Sequence, residues 1–583
     1  MGLLNFTLDV RDSARRLVHV TLAADVAEAD RRDGLELFLA AWTPGSYLIR
    51  DYSRHLGSVS AEDEGTGAPI PWRKTGKNRY LIAPGVDCRR IKIRYTVYAH
   101  ELTVCTSDLT DQHAFLSGAT VFLWPVSDPT SPAVVQLQVP ESWDVATSLA
   151  ANLEAPGLWR LEGQGIDEFI DSPILAGALE TLSFTAVGRP HSLVLDGLDG
   201  IEPPENLARD TAAIVEQAAE VFGGTPPYEE YKFLCMFTDA GRGGLEHSAS
   251  SALLAPRTTF APEDSYREFM GLVAHEFFHV WNVKRMRPAE LWEFDYEREN
   301  HTELLWLAEG FTAYYDDHLC RRAGISSPRQ YLEVLAKTIC DLRQTPGCLR
   351  QSLSEASFDA WIRLYRPDEN TRNSTLSYYG NGALVAMSLD LHIRAQTGGK
   401  KSLDDAMRSL YQRTYLAGRG YTFEDVVEAL ADVSGEDMAP RLHDLVHKPL
   451  DPDFATSLAP FGLQLEESES KRAYLGIRVR PRSTDVASVL TDSPAHTAGL
   501  MPSDELLALN GHRVGPENWS KISRQIAIVD APLQVIVARR GRVLTLTLQP
   551  TIKPTASVTI TKCADSSAAQ DALRRGWLFD PEF

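Results

Sequence analysis

The stretch from Ala274 to Tyr315 reads AHEFFHVWNVKRMRPAELWEFDYERENHTELLWLAEGFTAYY, and the rest of the chain is organised around it. His275, Glu276 and His279 form an H-E-x-x-H motif. Positions i and i+4 of a helix share a face, so both imidazoles can reach one metal ion, while Glu276 reaches a water beside the ion. The preceding run, YREFMGLVAHEFFHV, spaces its apolar residues at helical intervals and has no Gly or Pro after Gly271. A buried helix with a polar metal face is therefore expected. A zinc site that does chemistry needs a third protein ligand and an open fourth position. Glu309, in WLAEGFTAYY, is the favoured ligand, because it lies in a second apolar, helix-compatible segment from Thr302 to Cys320 and a ligand belongs on a rigid element. Glu297 and Glu299 are rivals, closer in sequence, in a charged run, DYEREN, that reads as a solvated connection.

A chain of 583 residues implies several domains, each able to bury a full core. A hydrophobic fraction of 44% and a charged fraction of 23% are those of an ordinary globular protein, and a net charge of -21 argues against nucleic acid or an anionic membrane as partner. Seven cysteines are scattered without a C-x-x-C, which signals neither a disulfide framework nor a thiolate metal site and fits a reducing compartment. The N-terminal residues MGLLNFTLDVRDSARR lack the basic start and long apolar run of a secretion signal, and no later stretch is long enough to span a bilayer. The expected location is cytoplasmic, or periplasmic if a signal has been removed.

The expected fold class is multidomain α+β. Residues 1–188 read as an antiparallel β domain, with strands at HVTLAADV, LELFLAAW, IKIRYTVYA and AVVQLQVP. Within it WTPGSYLIRDYSRHL, Trp42 to Leu56, is either a docking surface or a plain strand-turn-strand. Residues 189–455 read as a mostly helical catalytic domain, opening with a helix between Pro203 and Gly223 and a buried strand from Tyr231 to Phe237. A glycine-rich turn and the metal helices follow. Residues 456–555 form a small third unit, with a hairpin in LQVIVARRGRVLTLTLQP, and 556–583 a loosely docked tail. By themselves, composition and spacing give zinc peptidase chemistry.

Four pieces carry a family resemblance: TPGSYLIRDYSRHL, GGLEH, HEFFHVWNVKRMRP with WLAEGFTAYY, and SYYGNG. They resemble the gluzincin aminopeptidases, and more closely the glycyl aminopeptidase family with a C-terminal PDZ module. In the broader class the zinc glutamate follows the second histidine after a shorter gap, which Glu299 approaches; the E-G-F context favours Glu309. The resemblance implies a thermolysin-like catalytic domain and removal of a small N-terminal residue, glycine or alanine, from peptides.

On that basis zinc is held by His275, His279 and Glu309, and Glu276 is the general base. Tyr379, in Y-G-N-G, matches the tyrosine of the broader family's Y-x-K-G motif and would donate to the oxyanion; Asn381 replaces the lysine, and Tyr378 is the fallback. Glu246, in Gly243-Gly244-Leu245-Glu246-His247, matches the exopeptidase motif G-x-M-E-N and would take the substrate's ammonium, with Gly243 and Gly244 allowing close approach of the peptide. Arg285 and Arg287 are expected in surface salt bridges, and His247 and His301 in structural roles. AYLGIRV (Ala473 to Val479) and SPAHTAGLMPSDELLALNG (Ser493 to Gly511) resemble a PDZ domain, which would bind a peptide C-terminus or serve as a packing module; Ser503 stands where Gly is usual. The expected partners are peptides. The alternatives are a zinc endopeptidase of the same fold, or a peptide-binding protein with an inactive peptidase core.

Overall fold

The computed structural model describes residues 2–580 and 582–583. It divides into two compact units: Met1–Asn300 with Tyr411–Tyr421, and His301–Leu410 with Thr422–Phe583.

The first unit begins with a seven-stranded sheet in the spatial order Ala150–Ala155, Leu158–Gln164, Pro132–Gln138, Leu4–Asp12, Leu17–Asp25, Arg90–Tyr98, Leu56–Asp63. The strand Leu4–Asp12 alternates buried and partly exposed residues, the period-two pattern of a half-buried strand. The sheet is antiparallel except where Leu4–Asp12 runs parallel to Pro132–Gln138. The first strand thus has its hairpin partner on one side and a strand from far along the chain on the other, a pairing that local alternation does not reveal. Beneath it Phe6, Phe122, Trp124 and Phe169 pack edge-to-face and stacked, with ring centroids 5.0–5.9 Å apart.

A five-stranded sheet follows, in the order Glu180–Ala186, Arg189–Asp196, Tyr231–Thr238, Ser250–Pro256, Gly243–Glu246. Its three central strands are parallel, and the helix Leu207–Val221 is the crossover between the first two of them. The hairpin Glu180–Asp196 spans the expected boundary at residue 188, so this sheet starts earlier than the change of sequence character suggests. The edge strand Gly243–Glu246 runs antiparallel to Ser250–Pro256. The helix Glu263–Phe278 packs on these last two strands and sends Phe277 between Tyr231 and Phe233.

The second unit is mainly helical up to Leu458. Its centre is the contact between Gly310–Arg322 and Tyr378–Thr397. A Cβ on Gly310 would lie 2.5 Å from the Gly382 Cα, and one on Gly382 would lie 2.6 Å from the Trp306 carbonyl oxygen. The glycines of E-G-F and Y-G-N-G are therefore where two helices touch backbone to backbone.

Beyond the helices, Leu463–Tyr474 pairs with Thr551–Lys562 as a two-stranded ribbon, and the strands and short helices between them enclose their own core around Val486, Leu506, Val535 and Val537. Ser503 has φ +68°, which explains why glycine is usual there. The expected break at residues 555/556 falls inside the strand Thr551–Lys562. The segment read as loosely docked is in fact anchored: Arg574, Trp577 and Leu578 of the helix Ala568–Leu578 are fully buried. Sparse hydrophobicity hid this, because the anchoring rests on two large side chains and on hydrogen bonds to chain carbonyls.

Candidate functional site

The H-E-x-x-H helix opens with Glu263 and Asp264 in its first turn, where acidic residues complement the helix dipole, and ends with His279 as its C-cap in a right-handed helical conformation. The i, i+4 geometry therefore survives the helix end: the His275 and His279 rings have centroids 4.8 Å apart and planes at 81°. His279 Nδ1 lies 2.7 Å from the Asn282 carbonyl oxygen. A carbonyl only accepts, so Nδ1 carries the proton and Nε2 presents a lone pair, the tautomer a metal ligand needs.

The chain after His279 is clamped rather than solvated. Arg285, expected on the surface, is 9% exposed and donates to the carbonyls of Val280, Pro227 and Ser248. Arg287 is half-buried, with its guanidinium 4.9 Å from the centre of the Phe294 ring. Both guanidinium groups donate to carbonyls of connecting segments, Arg285 to the three just named and Arg287 to that of Lys284, and these buried acceptors override the usual preference of arginine for the surface. Lys284 Nζ pairs with Asp171 at 2.5 Å, and Asp171 also takes the backbone N–H of Ser248 and a 3.3 Å contact from His247 Nδ1. Burial works to raise the Asp171 pKa, but Lys284 and His247 outweigh it and hold the carboxyl well below its ordinary value. His247 is thus occupied structurally, and so is His301, which stacks on Phe358 and meets its carbonyl at 3.0 Å.

Of the rival carboxylates, Glu297 is taken by Arg79 Nε and Nη2 and by Asn78 Nδ2, and Glu299 is exposed. Glu309 is 2% exposed at the head of the helix Gly310–Arg322. His275 and His279 belong to the first unit and Glu309 to the second; within the first unit, one ligand atom from each of Glu246, Glu276 and His279 falls within 4.8 Å of the others. Two imidazoles and a carboxylate suit zinc in number and in donor type.

Glu246 is 3% exposed at the end of the edge strand. Gly244 lies against the general-base candidate: a Cβ there would be 2.0 Å from Glu276 Oε1. Gly243 has ordinary space around it. The residue the motif reading did not assign is Gly45. A Cβ on it would lie 2.4 and 2.5 Å from the two Glu246 oxygens. The WTPGSY stretch is therefore a docking surface: Trp42 donates to the Asp295 carbonyl at 2.9 Å, Ala41 to that of Tyr296, and Gly45 faces Glu246.

Tyr379 stacks on Tyr378 with ring centroids 4.9 Å apart, and its hydroxyl lies 2.9 Å from that of Tyr365, another residue no motif marked. Burial, then the charge of Glu309, pushes the Tyr379 pKa well above its ordinary value. Asn381, at the lysine position, is buried with its amide toward the Cys348 sulfur at 3.8 Å.

Two family models match the chain: the Peptidase M61 N-terminal domain over residues 5–178 and M61 glycyl aminopeptidase over residues 268–385. A crystal structure of an aminopeptidase N family protein from Idiomarina loihiensis superposes with a TM-score of 0.90 at 30% identity, covering 99% of this chain and 100% of that one. An M1 zinc metallopeptidase from Deinococcus radiodurans overlaps at a TM-score of 0.47 and 16% identity, covering 77% of this chain and 94% of that one, too little to carry an argument. A sequence comparison with curated proteins finds no match. Family models over residues 5–178 and 268–385 and a 30% identical relative along almost the whole length place the chain in the M61 glycyl aminopeptidase family.

Proposed function

We propose that the chain is a zinc-dependent aminopeptidase that removes small N-terminal residues, glycine or alanine, from peptides. The observation that carries this reading is Glu246: a carboxylate 3% exposed, offering an oxygen within 4.8 Å of ligand atoms on Glu276 and His279. A carboxylate beside the H-E-x-x-H motif suits a cation, and a peptide's free N-terminal ammonium supplies one.

His275, His279 and Glu309 would hold the zinc. When bound, that ion supplies Lewis acidity, polarising a carbonyl and bringing the pKa of water toward neutrality. Glu276, held against the backbone of Gly244, accepts the proton of the attacking water and returns it to the leaving amine. Tyr379 keeps its proton at neutral pH and donates it in a hydrogen bond to the developing oxyanion. Glu246 anchors the ammonium and fixes which peptide bond is presented.

For the module at 456–555 we propose a PDZ-like role. The strand Ile477–Val479 pairs only with Val486–Val489 among the described residues, leaving an edge that an extended peptide C-terminus can join. No helix among the described residues is long and apolar enough to cross a membrane.

The test is release of free N-terminal residues from glycyl, alanyl and leucyl peptides, with N-acetylated counterparts, before and after chelation and zinc readdition. The expected result is zinc-dependent release of glycine and alanine, with the acetylated peptides resistant. Cleavage of acetylated peptides at the same rate would make the protein an endopeptidase; zinc binding without hydrolysis would make it a binding protein.

A further inference from the structure

The strand pair Ile477–Val479 and Val486–Val489 has two edges, and the fold covers one of them. Leu490 N–H donates to the Gly476 carbonyl at 2.8 Å, and the register sets Ile477 opposite Val489 and Arg478 opposite Ser488. Backbone groups alternate in an antiparallel pair, so those of Gly476 and Arg478 turn inward, and those of Ile477 and Val489 turn outward to the two edges. The Val489 edge is taken: Asn373 Nδ2 donates to the Val489 carbonyl at 2.9 Å, and Ser503 N–H donates to that of Val486 at 2.8 Å. Among the described residues this sheet holds no third strand, so the Ile477 edge is the one to which a strand can add.

Side chains along that edge are of two kinds. Ile477 and Val479 are only half-buried, and so are Trp519, Ile522 and Ile526 of the helix Trp519–Ile526; all five border the module's own core. An added strand would lay every second side chain on this apolar row. Arg478 and Arg480 alternate with Ile477 and Val479 and are exposed. The remaining side chains of an added strand would stand beside them, at the roughly 5 Å spacing of cross-strand neighbours. Lys521 and Arg524, exposed on the helix, add charge of the same sign. Between Lys471 and Arg542 eleven Lys and Arg stand against six Asp and Glu, in a chain whose net charge is -21. An excess of positive charge confined to one module of an acidic protein suits a partner of opposite sign. Alternating apolar and basic positions beside an open strand edge favour an extended peptide over a nucleic acid, which would use neither the edge nor the apolar row.

We propose that the module's partner is an acidic peptide, in which acidic residues alternate with apolar ones, seated as an extra strand along Ile477–Val479 with its carboxylates against Arg478 and Arg480. The proposal rests on the PDZ-like role proposed above and names the chemistry of its ligand.

The test is fluorescence anisotropy on the zinc-loaded full chain with three octapeptides that have free C-termini: four repeats of Glu-Val, of Ser-Val and of Lys-Val. The dye is attached at the N-terminus, which withholds a free amine from Glu246. The Glu-Val peptide is expected to bind about tenfold or more tightly than Ser-Val, and Lys-Val more weakly than either. In the double variant Arg478→Glu, Arg480→Glu the Glu-Val affinity should fall about tenfold or more, while Ser-Val affinity, Tm and glycyl hydrolysis change little. Equal affinity for the three peptides, or Glu-Val binding unaltered by the two substitutions, would overturn the proposal and leave the PDZ-like role standing. A DNA oligonucleotide that displaces the Glu-Val peptide and binds more tightly would overturn it in favour of a nucleic-acid surface. If no peptide of any charge binds, the PDZ-like role itself falls, and the proposal with it.

Discussion

Gly45 has φ +87° and no room for a side chain: the two Glu246 oxygens occupy the space a Cβ would take, at 2.4 and 2.5 Å. Both constraints act on one residue, and the second bears on the proposed substrate anchor. Gly45→Ala must push the Glu246 carboxylate out of the position from which it is proposed to bind the ammonium. The expected outcome is a loss of about 10–100-fold in kcat/KM for glycyl peptides, about 1.4–2.8 kcal/mol of transition-state binding, with zinc content unchanged. Steady-state kinetics with metal analysis checks it; full kcat/KM would show that Glu246 does not depend on this backbone. Glu246 itself was legible, because Gly243 to His247 are spelled in one run beside the metal motif. Its packing partner was not. Gly45 lies some two hundred positions earlier, and nothing in the local pattern of Trp42 to Leu56 says which carboxylate its Cα will meet. Arg285 failed for a related reason: its three acceptor carbonyls come from scattered backbone positions, which no charge pattern encodes.

Elements show a different division. The helix that carries His275 and His279 was readable because burial on one face imposes helical spacing, and E-G-F with Y-G-N-G was readable because close backbone contact demands glycine. The pairing of strands was less so, since alternation marks a strand but not its neighbour. The strand His113–Leu116 illustrates this. His113, 8% exposed, sits between Asp108 at 3.1 Å and Asp196 at 2.5 Å, and so links a short strand of the N-terminal domain to the end of Arg189–Asp196. Burial works against charging the imidazole, but the two carboxylates outweigh it and the pKa is pushed up to about 9. A folded-state pKa above the ordinary value near 6.5 means that the imidazolium stabilises the fold fully below about pH 6.5 and that this contribution is lost as pH rises through about 9. The contribution is worth at most about 3 kcal/mol. His113→Gln should therefore lower the Tm most near pH 6 and progressively less toward pH 9.5. Thermal unfolding of both proteins across that range checks it, and a Tm difference independent of pH would show that His113 acts by packing alone.

On the scale of the molecule, the last helix of the chain underlies the element headed by Glu309, the proposed third ligand. Trp577 is fully buried between Tyr331 and Phe461, and its indole N–H donates to the Tyr314 hydroxyl at 3.1 Å. That hydroxyl donates in turn to Asp390 at 2.7 Å. His318 Nε2 meets the Trp577 carbonyl at 3.0 Å, and Arg321 donates to that of Leu578 at 2.8 Å. Tyr314, His318 and Arg321 lie along Gly310–Arg322, the helix headed by Glu309, so residues near 580 hold in place a helix that begins at 310. The sequence around Trp577 reads as a polar tail because one indole and one guanidinium do the anchoring, and a single large side chain leaves no periodic trace. Trp577→Ala removes that packing and the donor to Tyr314, at a cost of about 3–5 kcal/mol. The expected result is a Tm lower by roughly 5–15 °C together with weaker zinc retention on dialysis against a mild chelator, with Trp577→Phe recovering most of the Tm because it refills the space. Zinc retention at the wild-type level in a Trp577→Ala protein with a lowered Tm would mean that Glu309 is held by its own contact with Tyr378–Thr397, through Gly310 and Gly382, and that the C-terminal helix stabilises the unit without reaching the site.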